Sequence, residues 1–228
     1  MRRLGCLVLV LLVLLAGAAG LDWWARGQAE SRAATLLAQR LGTRPEVTAH
    51  GWPYLRSLLD GTVEQVDVRA PRADLSLQGH EVQVSELDVV ARQVGPVQDP
   101  SAAKAGTLRG SALVGYEQMS RAMDATIVSG GGEKVKLSRR AQLLGTEVDV
   151  VVVAVPSVAE GRLQLDDAQV SLDGTELDEA QAQAVVDTVE QSAELPRLSN
   201  LSVNSLQASP QGLRLGFTGE DVQLSELG

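Results

Sequence analysis

The sequence predicts an α+β protein in which a long, curved, mostly antiparallel sheet wraps around one or two helices. Three observations lead there. From Thr62 onward apolar and polar residues alternate with a period of two, and strand follows strand with short breaks, an antiparallel rather than a βαβ pattern. Val148–Val155 is apolar on both faces after Asp149, as a covered central strand should be, and Asp178–Ala193 offers a cover. Its apolar stripe is Ala182, Val185, Val186, Val189 and Ala193. Ahead of everything stands Leu4–Leu21, an unbroken apolar run.

That run divides the chain into residues 1–21, a juxtamembrane helix over 22–42 and one α+β domain over 43–228. Eighteen residues at the helical rise of ~1.5 Å span about 27 Å, close to the roughly 30 Å of a bilayer core. Arg2 and Arg3 hold the start in the cytoplasm, and Trp23 and Trp24 suit the far membrane interface, so the rest is expected outside the cytoplasm. Leu7–Leu15 followed by Ala16-Gly17-Ala18 equally describes a cleaved signal peptide. An anchored domain on the outer face of the cell membrane and a domain released to the periplasm both remain open.

In Asp22–Leu41 the spacing of Ala29, Ala33, Leu36, Leu37 and Leu41 predicts a helix that Gly42 ends. Its arginines, with Arg44, form a solvated face or touch lipid headgroups. A strand over Glu46–His50 leads to Gly51-Trp52-Pro53-Tyr54-Leu55-Arg56-Ser57-Leu58-Leu59-Asp60-Gly61. Pro53 suits a first helical turn and Gly61 an end, and Trp52, Tyr54, Leu55, Leu58 and Leu59 make this short helix apolar nearly all round. Such a helix is a core plug or a lip against a membrane or acyl chain.

Strands follow at Val66–Ala70, Leu75–Leu77 and Val82–Val84. Across Val84–Val89 the apolar phase slips by one, predicting a β-bulge. Gly95–Gly106 reads as a loop, Thr107–Val114 as a strand and Tyr116–Met123 as a two-turn helix with Tyr116, Met119 and Met123 on one stripe. Thioethers fill irregular gaps in a core and adapt equally to flexible ligands. Lys134–Leu144 and Glu147–Val155 form an antiparallel pair, continued by Arg162–Gln164 and Ala168–Leu172. Thr175 is placed as the cap of the following helix, and a hairpin closing on Phe217 ends a count of nine or ten strands.

Composition excludes several functions. Beyond Arg2 and Arg3 there are 18 basic residues against 29 acidic ones, a net of −11, which repels nucleic acid. The one cysteine, Cys6, lies in the apolar run, leaving no disulfide in the exported part. His50 and His80 stand alone, so no zinc site and no cofactor is expected. No Gly-x-Ser-x-Gly elbow occurs, Gly130-Gly131-Gly132 lacks the lysine of a phosphate loop, and no catalytic residue is assigned.

Gly51-Trp52-Pro53-Tyr54-Leu55 with Leu58-Leu59-x-Gly61 resembles the Gly-aromatic-Pro-aromatic-Leu motif of the LmeA-type phospholipid-binding family of actinobacterial cell envelopes. Gly106–Ser120 and the ending Leu201–Leu224 are similar to that family too, in the same order. The resemblance implies a fold like tubular lipid-binding proteins and a non-catalytic protein that holds phospholipid acyl chains in an apolar groove. It also implies support for lipid or lipoglycan assembly beside envelope biosynthetic enzymes. On this reading Trp52, Tyr54, Leu55, Leu58, Leu59, Tyr116, Met119, Met123 and Phe217 face lipid, and Arg44 and Arg56 are the available headgroup cations. The alternative is an envelope scaffold whose core is closed and dry.

Overall fold

The computed structural model describes residues 27–35, 37–38, 41–51, 61–77, 80–96, 99, 102–143, 146–192 and 200–224. Helix α1 is helical at 27–35, 37–38 and 41, and is followed by β1 (Glu46–His50), β2 (Val63–Leu77), β3 (His80–Gly95) and β4 (Lys104–Gly115). Next come α2 (Tyr116–Met123), β5 (Thr126–Gly131), β6 (Lys134–Leu143), β7 (Thr146–Ala159), β8 (Arg162–Leu172) and β9 (Thr175–Glu176). Helix α3 (Glu179–Ser192) precedes β10 (Leu201–Ala208) and β11 (Gly212–Gln223).

Every strand pairing is antiparallel, as the alternation predicts, but the strands form two sheets instead of one. The first runs β1-β2-β3-β4-β11-β10, the second β5-β6-β7-β8-β9. The reason is local. Strand β4 already has β3 and β11 on its two sides, so the chain leaving it through α2 starts a new sheet and returns only with β10. Strand β10 then lies against β7, where the sheets meet.

Helix α1 packs on one face of the first sheet. Ala29 meets Ala49 and Val63, while Leu37 and Leu41 meet Ala70, Ala73, Val84 and Leu87. Ala34 is buried where the sequence pattern favoured Ala33, which is half-buried. The bulge expected in Val84–Val89 is present: the β3–β4 register shifts between Ser85 and Asp88, and Glu86 takes a left-handed φ of 49°. Pro71 does not break β2: it lies beyond Arg69, the last β2 residue that β1 pairs, and the β2–β3 register continues from Ala70 to Arg72 across it. The strand pieces expected around it are therefore one strand.

The second sheet has β7 at its centre and α3 over one face, with Val152, Ala154, Val170 and Val186 buried between them. Its tight turns, Glu160-Gly161 (φ 54° and 71°) and Asp173-Gly174 (φ 47° and 79°), place two successive residues at positive φ, the geometry that matches strand twist. Strand β8 is continuous, bulged near Asp167 (φ 49°) between the two pieces the sequence indicates. Thr175 does not cap α3. It belongs to β9, and Asp178 accepts the Gln181 N–H at 2.9 Å, because only a residue directly before the first turn reaches its free N–H groups. Strand β5 was not foreseen; four residues before a glycine run carry too little alternation.

Each helix also accepts an amide from a strand, at the outer strand of a sheet or, for β8, beyond the two residues that β9 pairs. Ala49 of β1 donates to Glu30 at 2.9 Å, Ile127 of β5 to Ser120 at 2.8 Å and Leu165 of β8 to Glu190 at 2.8 Å.

Candidate functional site

Because side chains alternate across a strand, register decides which residues share a face. In the first sheet it aligns apolar residues in rows that cross all six strands. One row is Ala49–Val66–Ala91–Leu108–Gly219–Leu201 and the next is Val47–Val68–Val89–Gly110–Phe217–Val203. A third adds Ala70, Leu87, Ala112, Leu215 and Leu206. The outer rows carry the buried core: Ala91 and Leu108 on one side, Ala70, Leu87 and Ala112 on the other. Every member of the middle row is only half-buried. Six strands at ~4.8 Å spacing make this row about 24 Å long, against roughly 15 Å for the hydrocarbon of one bilayer leaflet.

Phe217, on β11, is the one aromatic member of the row. It packs against two of the core clusters of the sheet, as does Val89. Gly110 makes room for it: a Cβ there would lie 2.5 Å from the Phe217 ring and 2.7 Å from the Asp88 carbonyl oxygen. Met119 of α2 packs against the same cluster. Phe217 and Met119, far apart in sequence, thus come together on one apolar face.

The other described candidates take different places. The Tyr116 hydroxyl donates to the Ser209 carbonyl at 2.7 Å, tying α2 to the β10–β11 turn. Burial pushes the Tyr116 hydroxyl pKa up, against the hydrogen bonds of Ser129 and Ser209 that pull it down. Tyr116 therefore stands at the join of the two sheets, its polar end engaged. Met123 is 41% exposed at the end of α2. Arg44 is exposed between α1 and β1, outside the apolar row. Trp23, Trp24, Trp52, Tyr54, Leu55, Arg56, Leu58 and Leu59 lie outside the described residues. Sequence reasoning missed Val47, Val68, Val89, Val203 and Leu215. Their alternation was visible, but the register that aligns them was not.

The opposite face of this sheet is polar. His50 Nε2 lies 2.9 Å from Asp67 Oδ2, and Gln65 donates to Asp67 Oδ1 at 2.8 Å. Burial opposes the Asp67 charge, but the hydrogen bonds of Gln65 and His50, with the attraction of His50 and Arg69, outweigh it and hold its carboxyl below the usual carboxylate range. Arg69 Nε pairs with Asp88 at 3.0 Å, and Arg214 pairs with Glu86.

Among the described residues no group of three His, Cys, Asp or Glu side chains is placed to hold a metal, and no helix is long and apolar enough to cross a membrane. The predicted membrane segment lies outside those residues. Fold and site together define a class: an antiparallel α+β protein whose most distinctive surface is a hydrocarbon-lined row. The chain belongs to the LmeA-like phospholipid-binding family, whose model matches residues 20–218. Neither a curated protein nor a solved structure shows significant similarity to it.

Proposed function

We propose that this protein binds phospholipid without catalysing a reaction, laying an acyl chain along the half-buried row Val47–Val68–Val89–Gly110–Phe217–Val203. The observation that supports this reading is that the centre of a six-stranded sheet, normally its driest part, is the least covered of its three apolar rows. Each methylene removed from water contributes ~0.8 kcal/mol, so ten would favour binding by about 8 kcal/mol before the costs of ordering. Met119 and Met123 line the approach at α2, and Trp52, Tyr54, Leu55, Leu58 and Leu59 add apolar contacts. Arg44 and Arg56 are the cations nearest such a headgroup in sequence. The protein acts on the outer side of the cell membrane, anchored or released, where it supports lipid or lipoglycan assembly beside biosynthetic enzymes.

Native mass spectrometry of the full chain purified from its membranes tests this. Co-purifying phospholipid is expected, and its occupancy should fall at least about tenfold in Phe217→Glu, which places a charge in the row. A protein that carries no lipid and takes up none from labelled vesicles would overturn the proposal and leave the closed scaffold.

A further inference from the structure

The polar face of the first sheet holds an open depression of about 350 Å³ lined by Arg69, Ala70, Pro71, Glu86, Leu87, Asp88, Ser111 and Arg214. Its origin is in the register. Arg69, Asp88, Ser111 and Gly216 lie side by side on β2, β3, β4 and β11, so two long side chains are followed by a short one and by none. The bulge at Glu86 and the pairing of Glu86 with Arg214 raise the neighbouring wall. Side chains of β10 close over Gly216, where a Cβ would lie 2.2 Å from Ser205 Oγ and 3.0 Å from Asn204 Oδ1, and bound the depression on that side. The low ground beside Ser111 is thus flanked by two ion pairs and lined in part by the exposed ring of Pro71.

The charges of this wall cancel: Arg69 and Arg214 against Glu86 and Asp88. A simple anion meets two carboxylates and a simple cation meets two guanidinium groups, so neither gains a net field. Hydrogen-bonding capacity remains on both sides. Arg69 uses Nε and Arg214 uses Nη2, each on one carboxylate oxygen, leaving further donors on the arginines and a further acceptor on each acid. Ser111 Oγ, half-buried, has no hydrogen-bond partner among the described residues. Adjacent free donors and acceptors with no net charge match a ligand whose groups both donate and accept, which is a vicinal diol. The Pro71 ring offers an apolar plate for the C–H face of a sugar ring.

We infer that this depression is a saccharide site, taking one or two neutral sugar residues through Ser111, the Arg69–Asp88 pair and the Glu86–Arg214 pair. It lies on the face of the sheet opposite the apolar row, so it does not depend on the lipid-binding reading. Isotope-labelled full-length protein should be titrated with neutral trisaccharides of glucose, mannose and galactose, and separately with phosphocholine and inositol phosphate. Saturable shifts are expected with at least one trisaccharide at the amides of residues 69, 70, 86–88, 111 and 214. They should persist from about 0.01 M to 1 M salt, over which the Debye length falls from roughly 30 Å to 3 Å. Arg69→Gln and Ser111→Val should each weaken binding about tenfold, the loss of one to two hydrogen bonds, with co-purified lipid unchanged. Arg69 is exposed on the surface, so its variant tests the site even if Ser111→Val folds poorly. No shift with any trisaccharide overturns the inference. So does binding confined to the charged probes and abolished by salt, or unaltered affinity in Arg69→Gln.

Discussion

The two sheets solve the same problem to different degrees. In the second, one helix lies over one sheet and buries a single cluster of Val152, Ala154, Val170 and Val186. In the first, α1 covers part of a six-stranded face, its core splits into clusters, and Phe217 and Val89 bridge two of them while only half-buried. Its buried residues mix sizes, with Ala49, Ala70, Ala73, Ala91, Ala105 and Ala112 set among Leu87, Leu108 and Leu206. A sheet built to be covered once needs side chains that fill. A sheet whose middle row stays half-covered leaves apolar surface within reach of solvent, and on the proposed reading that difference separates a supporting sheet from a binding one.

The largest test of this contrast is Leu108→Ala. Leu108 is 2% exposed in the first sheet, and its loss should cost about 2–5 kcal/mol, read as a fall in chemical-denaturation midpoint with no change in slope. A cost near zero would mean that the row beside Phe217 is not packed as a core. Val186→Ala on α3 should follow at about 1–3 kcal/mol, with lipid occupancy per folded molecule unaltered. If that variant loses lipid at unchanged stability, the division of labour between the sheets is wrong.

Smaller effects probe the join. Tyr116→Phe should cost about 0.5–1.5 kcal/mol by leaving the Ser209 carbonyl unpaired. Because folding raises the Tyr116 pKa, its contribution is full below the unfolded value of about 10 and is lost as pH rises through the folded one. The alkaline limb of the melting curve should therefore flatten in the phenylalanine variant. The smallest effect is expected on the polar face. Folding lowers the Asp67 pKa, so its contribution is present above about pH 3.9 and is lost as pH falls through the folded value. Asp67→Asn should therefore lower the melting temperature slightly near neutrality and flatten the acid limb, the two proteins converging at low pH.

Much of this architecture was legible because it rests on local rules. Period-two alternation marks β2, β3, β4 and β11, the phase slip at Val84–Val89 marks the bulge, and the stripe Ala182–Val186 marks α3. The splitting into two sheets was not legible, since nothing local tells β4 to pair with β11 rather than with the nearer β5. The site shows the same limit. Phe217 and Met119 stand out as a rare aromatic and a rare thioether, whereas Val89 is one valine among many until register sets it beside Gly110. Tyr116 shows the limit from another side: an apolar stripe on a helix says that a ring is packed and is silent on the Ser209 carbonyl that its hydroxyl engages.

The contacts of Ala49 with Glu30, Ile127 with Ser120 and Leu165 with Glu190 carry a consequence for how this protein fails. An edge strand with free amides is a template for another chain, and here each template is stoppered by the helix that also shields the adjacent hydrocarbon. Peeling back any one helix uncovers adhesive backbone and greasy surface together. Damage of that kind is expected to favour pairing between molecules over a soluble unfolded chain. The helices are therefore guards against self-association as much as they are parts of a core.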